Sequence, residues 1–106
     1  MAAAVDEVEI SGGLLVVPAP VLAQVWRGDV HQALLSRFLN LPFVEVDLLT
    51  RAIWQTAGML CGQAGTSDVV DAAVVACARS RAARVVVTTD PDDLRRLDRA
   101  LAYQVP

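Results

Sequence analysis

The sequence predicts an α/β fold, a parallel β-sheet flanked by helices, and three observations carry that expectation. Hydrophobic residues make up 55% of the 106 positions against 20% charged, which excludes a disordered polar chain. Alanine and valine alone supply 34 residues, a composition suited to helices packed on buried β-branched strands. Short apolar runs also alternate with segments of helical period, in the order βαα–βα–αβ–αβ. At this length the chain should form a single domain, residues 1–106.

Residues 14–17, Leu-Leu-Val-Val, lie between Gly12-Gly13 and Pro18-Ala19-Pro20 and read as a buried strand. Pro20 suits the first turn of a helix. Val21, Leu22, Val25 and Trp26 give that helix its apolar stripe, and Gly28 stops it. Asp29 is placed to cap the next helix, with Val30, Ala33, Leu34, Phe38 and Leu41 on its apolar side. Residues 43–46 form a second, more peripheral strand. Residues 48–61 are helical in period, with Leu49, Ile53, Trp54, Ala57 and Leu60 on one side and Gly62 and Gly65 ending them.

Ser67 or Asp68 caps a strongly apolar helix reaching about residue 83. Residues 84–88 are the clearest strand, Asp90 opens a last helix to about residue 102, and residues 103–105 are a terminal strand. Ahead of Gly12, the alternation of Val8 and Ile10 allows a hairpin strand. A helix ending at Gly12 fits the same residues.

The net charge of −3 and a pI near 4.9 exclude a global basic footprint for nucleic acid. All nine basic residues are arginine, which suits a local phosphate contact or reflects a coding bias. Cys61 and Cys77 have no CxxC spacing and read as small buried residues in a reducing compartment. No run of about 18 uncharged apolar residues occurs and no leader pattern is present, so a cytoplasmic protein without a membrane partner is expected. His31 is the only histidine and excludes histidine pairs. Trp26 and Trp54 read as core or dimer anchors rather than base-stacking platforms.

Acids at strand ends carry the chemistry. In parallel sheets a site forms beyond the carboxyl ends of the strands, and Asp90 follows the clearest strand directly, with Asp93 three residues on. The same residues also make a helix start, Asp90 as cap and Pro91 in the first turn. Asp68 and Asp71 open the preceding helix. Asp68 can cap it, whereas Asp71 shares a stripe with Val75 and Ala78 and faces the apolar side. A carboxylate there must be paired, hydrogen-bonded, metal-bound or protonated. Two such pairs flanking one strand repel each other unless a cation compensates. Mg²⁺ or Mn²⁺ prefers oxygen ligands, and its bound water can attack a phosphodiester.

Three segments occur in family order: Val16-Val17-Pro18-Ala19-Pro20-Val21-Leu22-Ala23-Gln24-Val25-Trp26-Arg27-Gly28, Thr66-Ser67-Asp68-Val69-Val70-Asp71-Ala72, and Val87-Thr88-Thr89-Asp90-Pro91-Asp92-Asp93-Leu94. In this the chain resembles PIN domains, and within them the VapC-type toxin branch. The resemblance covers the sequence from about Leu14 onward. It implies a three-layer α/β/α fold, an acidic pocket holding Mg²⁺ or Mn²⁺, cleavage of single-stranded RNA, a homodimer or higher oligomer, and inhibition by a small VapB-like antitoxin.

Carried over by residue, the resemblance makes Asp71 and Asp90 catalytic metal ligands, with Asp68 and Asp93 as accessory ligands. Thr88 is the hydroxyl residue ending the late strand. Gln24 stands where the family usually has Glu and would orient a ligand or water, supplying an amide oxygen but no charge. Arg27 is the candidate contact to nucleic acid or antitoxin.

The family's first strand, ending in Asp, has no counterpart. A truncated start, a degenerate binding module, and a replacement strand at residues 8–10 all fit that departure. With one acid missing and another neutral, little or no RNase activity is expected of residues 1–106, and uncovered edges should drive association through Trp26 or the Leu34/Phe38 side.

Overall fold

A computed structural model describes residues 2–106, with side chains from residue 5 onward. Six helices and four short strands alternate along them, and the chain divides into two compact units, residues 1–48 and 49–106.

In the N-terminal unit, helix α1 (Ala2–Ser11) occupies the segment that could have been a hairpin strand. It ends at Gly12, whose φ of +70° is the left-handed conformation glycine adopts without a Cβ penalty. Strand β1 (Leu15–Pro18) pairs in parallel with β2 (Val44–Asp47), with Leu15 opposite Val44 and Pro18 opposite Asp47. The two carboxyl ends are therefore level, and Pro18 and Asp47 are the only buried residues described between positions 5 and 48.

Between the strands run α2 (Ala19–Val25) and α3 (Gln32–Leu39). Pro20 lies in the first turn of α2, as its fixed φ and missing N–H suit. Asp29 does not cap α3 directly. Its carboxylate accepts the His31 N–H at 2.9 Å, closing a turn, and His31 takes the cap position.

The C-terminal unit holds the apolar core. Helix α4 (Arg51–Ala64) starts at Thr50, whose hydroxyl accepts the Ile53 N–H, and ends at Gly65 with φ +68°. Gly62 lies inside α4 rather than ending it, because the left-handed turn that stops the helix falls at Gly65. Helix α5 (Val69–Ser80) packs along α4. Ile53, Ala57, Leu60 and Cys61 meet Ala72, Val75, Ala76 and Cys77, and Val86 and Leu94 close the cluster. The alanines leave short side chains, so the two backbones can approach closely.

Strand β3 (Val86–Val87) pairs in parallel with β4 (Tyr103–Gln104). The expected strand over residues 84–88 thus shortens to two ladder positions, since its partner supplies only two. Helix α6 (Pro91–Arg95) likewise stops well before residue 102. There Asp98 turns aside to accept Arg79 Nε at 2.6 Å, while the Tyr103 hydroxyl donates to its backbone oxygen at 2.6 Å. Trp26 and Trp54 are 44% and 52% exposed, so neither anchors the core. Trp54 sits on the surface of α4 and Trp26 just past the end of α2, where the apolar period continues beyond the face that packing covers.

Candidate functional site

The same six-residue device occurs twice in the C-terminal unit. In Thr66-Ser67-Asp68-Val69-Val70-Asp71, the Thr66 hydroxyl accepts the Asp68 N–H at 3.2 Å. In Thr88-Thr89-Asp90-Pro91-Asp92-Asp93, the Thr88 hydroxyl accepts the Asp90 N–H at 3.1 Å. Each threonine fixes the backbone of the acid two residues on, and each acid begins a helix that brings a second acid round one turn later. Thr88 thus has a counterpart in Thr66, which the strand-end reading does not reach. The repeated Thr-x-Asp-x-x-Asp pattern is the signal that identifies it.

Local physics explains both helix starts. Asp68 caps α5, its Oδ1 accepting the Asp71 N–H at 3.1 Å. Asp90 occupies the cap position of α6 yet makes no side-chain cap bond, and Pro91 takes the first helical position. Its carboxylate lies beside that of Asp93 and favours the protonated form of its neighbour. Asp68 and Asp71 form the corresponding carboxyl pair.

The two pairs feel one another. Burial beside the apolar core pushes Asp71 up to about 6, helped by Asp68, then Asp93 and Asp90. Asp93 is raised chiefly by Asp90, with Arg96 pulling the other way from 3.5 Å. Asp71 owes its burial to its position, one residue before fully buried Ala72 and on the stripe of Val75 and Ala78. All four predicted acids are thus gathered into one electrostatically coupled group, at the carboxyl end of β3 and the amino ends of α5 and α6.

Gln24 lies exposed on α2, in the N-terminal unit. Arg27 is also there, and its guanidinium donates at 3.1 Å to the carbonyls of Ala23 and Trp26, satisfying acceptors at the end of its own helix. Asp47 escaped sequence reasoning. It is the one buried charged residue described, at the carboxyl end of β2, and the strand-end rule that selected Asp90 was the signal available for it.

Oxygen donors carrying excess negative charge suit a hard divalent cation in chemistry. They do not suit it in arrangement. Among the described residues no group of three or more His, Cys, Asp or Glu side chains converges so as to hold a metal ion. The residues present therefore do not by themselves compose a closed metal centre.

Acids gathered at a parallel strand's carboxyl end, between helix starts, define the class of α/β domains with an acidic site. The particular family follows from the sequence profile of the PIN domain, which matches residues 2–100. The chain belongs to the PIN-domain family, a family of nuclease type. No curated protein and no solved structure gave a significant match. Among the described residues no helix is long and apolar enough to cross a membrane.

Proposed function

We propose that this is a VapC-like toxin of a toxin–antitoxin pair, with residues 1–106 forming one PIN-like domain that acts on RNA in the cytoplasm under restraint by a VapB-like antitoxin. The observation that carries the reading is the coupling of Asp68, Asp71, Asp90 and Asp93, the acids that the family resemblance selects. In this reading Asp71 and Asp90 are the principal acids, Asp68 and Asp93 support them, and Thr88 holds the Asp90 backbone.

Cleavage by the chain is weak or absent. Gln24 provides an oxygen without charge, and no three acids converge on one point. Phosphodiester cleavage tolerates little looseness, since about 1 Å of misplacement can cost 10²-fold in rate. Mg²⁺ or Mn²⁺ is the ion that the charge of the cluster favours.

The test is cleavage of single-stranded RNA in Mg²⁺ or Mn²⁺ with and without EDTA. The expected result is slow, EDTA-sensitive cleavage that Asp71→Asn abolishes. Cleavage indifferent to both EDTA and Asp71→Asn would overturn the assignment. The lack of convergence also favours a second reading, a catalytically inactive PIN-like module for dimerisation or antitoxin binding. Complete absence of cleavage, with a stable dimer by light scattering, would select it.

A further inference from the structure

We propose that the open hollow lined by Asp92, Arg95, Arg96 and Arg99 binds the phosphodiester backbone of single-stranded RNA and lays it alongside the acid cluster. The inference deepens the RNA-directed reading and rests on it. Three of the chain's nine arginines meet in this hollow with one carboxylate, a local excess of positive charge on a protein of net charge −3.

Their commitments to the protein itself are slight. Arg95 pairs with exposed Asp92 at 2.9 Å and lies over the Tyr103 ring, 5.8 Å from its centroid. Arg96 reaches Asp93 at 3.5 Å with a side chain 78% exposed. Arg99 has no ion-pair or hydrogen-bond partner among the described residues. Exposed pairs of this kind contribute little to stability, so folding does not account for the cluster.

The Arg96–Asp93 pair places the hollow and the acids side by side, because Arg96 lines the hollow and Asp93 is one of the four acids. Four coupled carboxylates repel a polyanion, and a phosphate chain can approach them only where positive charge lies next to them. Planar guanidinium forks match phosphate oxygens, and the Arg95 fork is steadied over an aromatic face. The hollow is open rather than enclosed, which suits a continuous backbone better than a small phosphate metabolite.

Fluorescence anisotropy of an end-labelled oligouridine in EDTA tests this without requiring cleavage. The wild-type chain should bind with strong salt dependence, and Arg95→Ala with Arg99→Ala should weaken binding about tenfold or more. The slope of log affinity against log salt should flatten by about 0.7 for each phosphate that an arginine no longer neutralises. If the double variant fails to fold, Arg99→Glu carries the test, since that side chain has no partner to lose.

Unchanged affinity and slope in Arg99→Glu would overturn the proposal. So would tighter binding of polyglutamate than of RNA, which would assign the hollow to an acidic protein. Arginine-dependent binding without cleavage in any metal keeps this surface and rejects the nuclease reading. Cleavage with binding indifferent to the arginines does the reverse.

Discussion

Asp68 holds Asp71 twice. Its Oδ1 accepts the Asp71 backbone N–H at 3.1 Å, and the two carboxyl groups also meet each other. The first interaction is a helix cap that favours folding. The second sets two like charges together at the edge of the apolar core, and favours a proton held between them. One residue thus stabilises the start of α5 and opposes ionisation of its neighbour.

A pH dependence follows with a definite sign. The Asp71 carboxyl titrates near 6 in the folded protein and near 3.8 when unfolded. Between those values the native state holds a proton that the unfolded chain releases, so this contribution to stability falls as pH rises and is lost above about 6. Asp93, also raised, acts in the same direction. Denaturant melts should show greater stability at pH 5 than at pH 7.5. Asp71→Asn should raise stability at pH 7.5 on the order of 1 kcal/mol, since solvent screens a half-buried carboxylate, and flatten the profile. A variant less stable at pH 7.5 with an unchanged profile would refute this.

Asp98 behaves oppositely. Its hydrogen bond to Arg79, aided by backbone N–H groups, holds its carboxyl below the usual range. The stability it contributes is present above about pH 4 and lost as pH falls through the lower folded value. Asp98→Ala should cost about 2 kcal/mol at pH 7, because the Arg79 guanidinium and the Ala100 N–H lose a charged acceptor. Acid denaturation should also lose its steepest portion. A loss below about 0.5 kcal/mol would show that the pair contributes no more than an exposed one.

Divalent metal should bind weakly. Calorimetric titration with Mn²⁺ is expected to show low-affinity binding that Asp71→Asn with Asp90→Asn removes, since the charge is present and the convergence is not. Micromolar saturation by residues 1–106 alone would mean that the acids close around the ion more completely than their arrangement allows.

The turn after α5 offers a backbone test. Ala82 has φ +49°, and the Ala83 N–H reaches back to Ala78 O at 2.9 Å. That is the position where helices ordinarily end in glycine. Ala82→Gly should stabilise the protein by roughly 0.5–1 kcal/mol through relief of the left-handed Cβ clash. A thermal melt shifted downward would contradict the assignment.

Local signals located nearly every element because apolar period and turn residues act within a few positions. Lengths escaped them. Residues 84–88 are β-branched enough for five ladder positions, but β4 offers partners only to Val86 and Val87. The apolar period of the last helix continues to residue 102, yet Asp98 is drawn out of helical geometry by Arg79, nineteen positions earlier. Pairings across such separations leave no trace in a local pattern. The acid pairs were legible because three-residue spacing at a helix start is itself local. The missing cap bond at Asp90 was less so, since both the residue type and Pro91 in the first helical position suit one.

Burial of apolar side chains is confined to one stretch of the chain. From Ile53 to Leu94 it closes a core, whereas between residues 5 and 48 only Pro18 and Asp47 are buried. Opening free energies follow buried apolar packing, so amide hydrogens should report two very different clocks. Backbone amides of β1, α2, α3 and β2 should take up deuterium early, through excursions that leave the α4–α5 pair closed. Those of α5 should wait for global unfolding. A protease would meet the same gradient and trim the first half of the molecule while the half carrying the acids still resisted it.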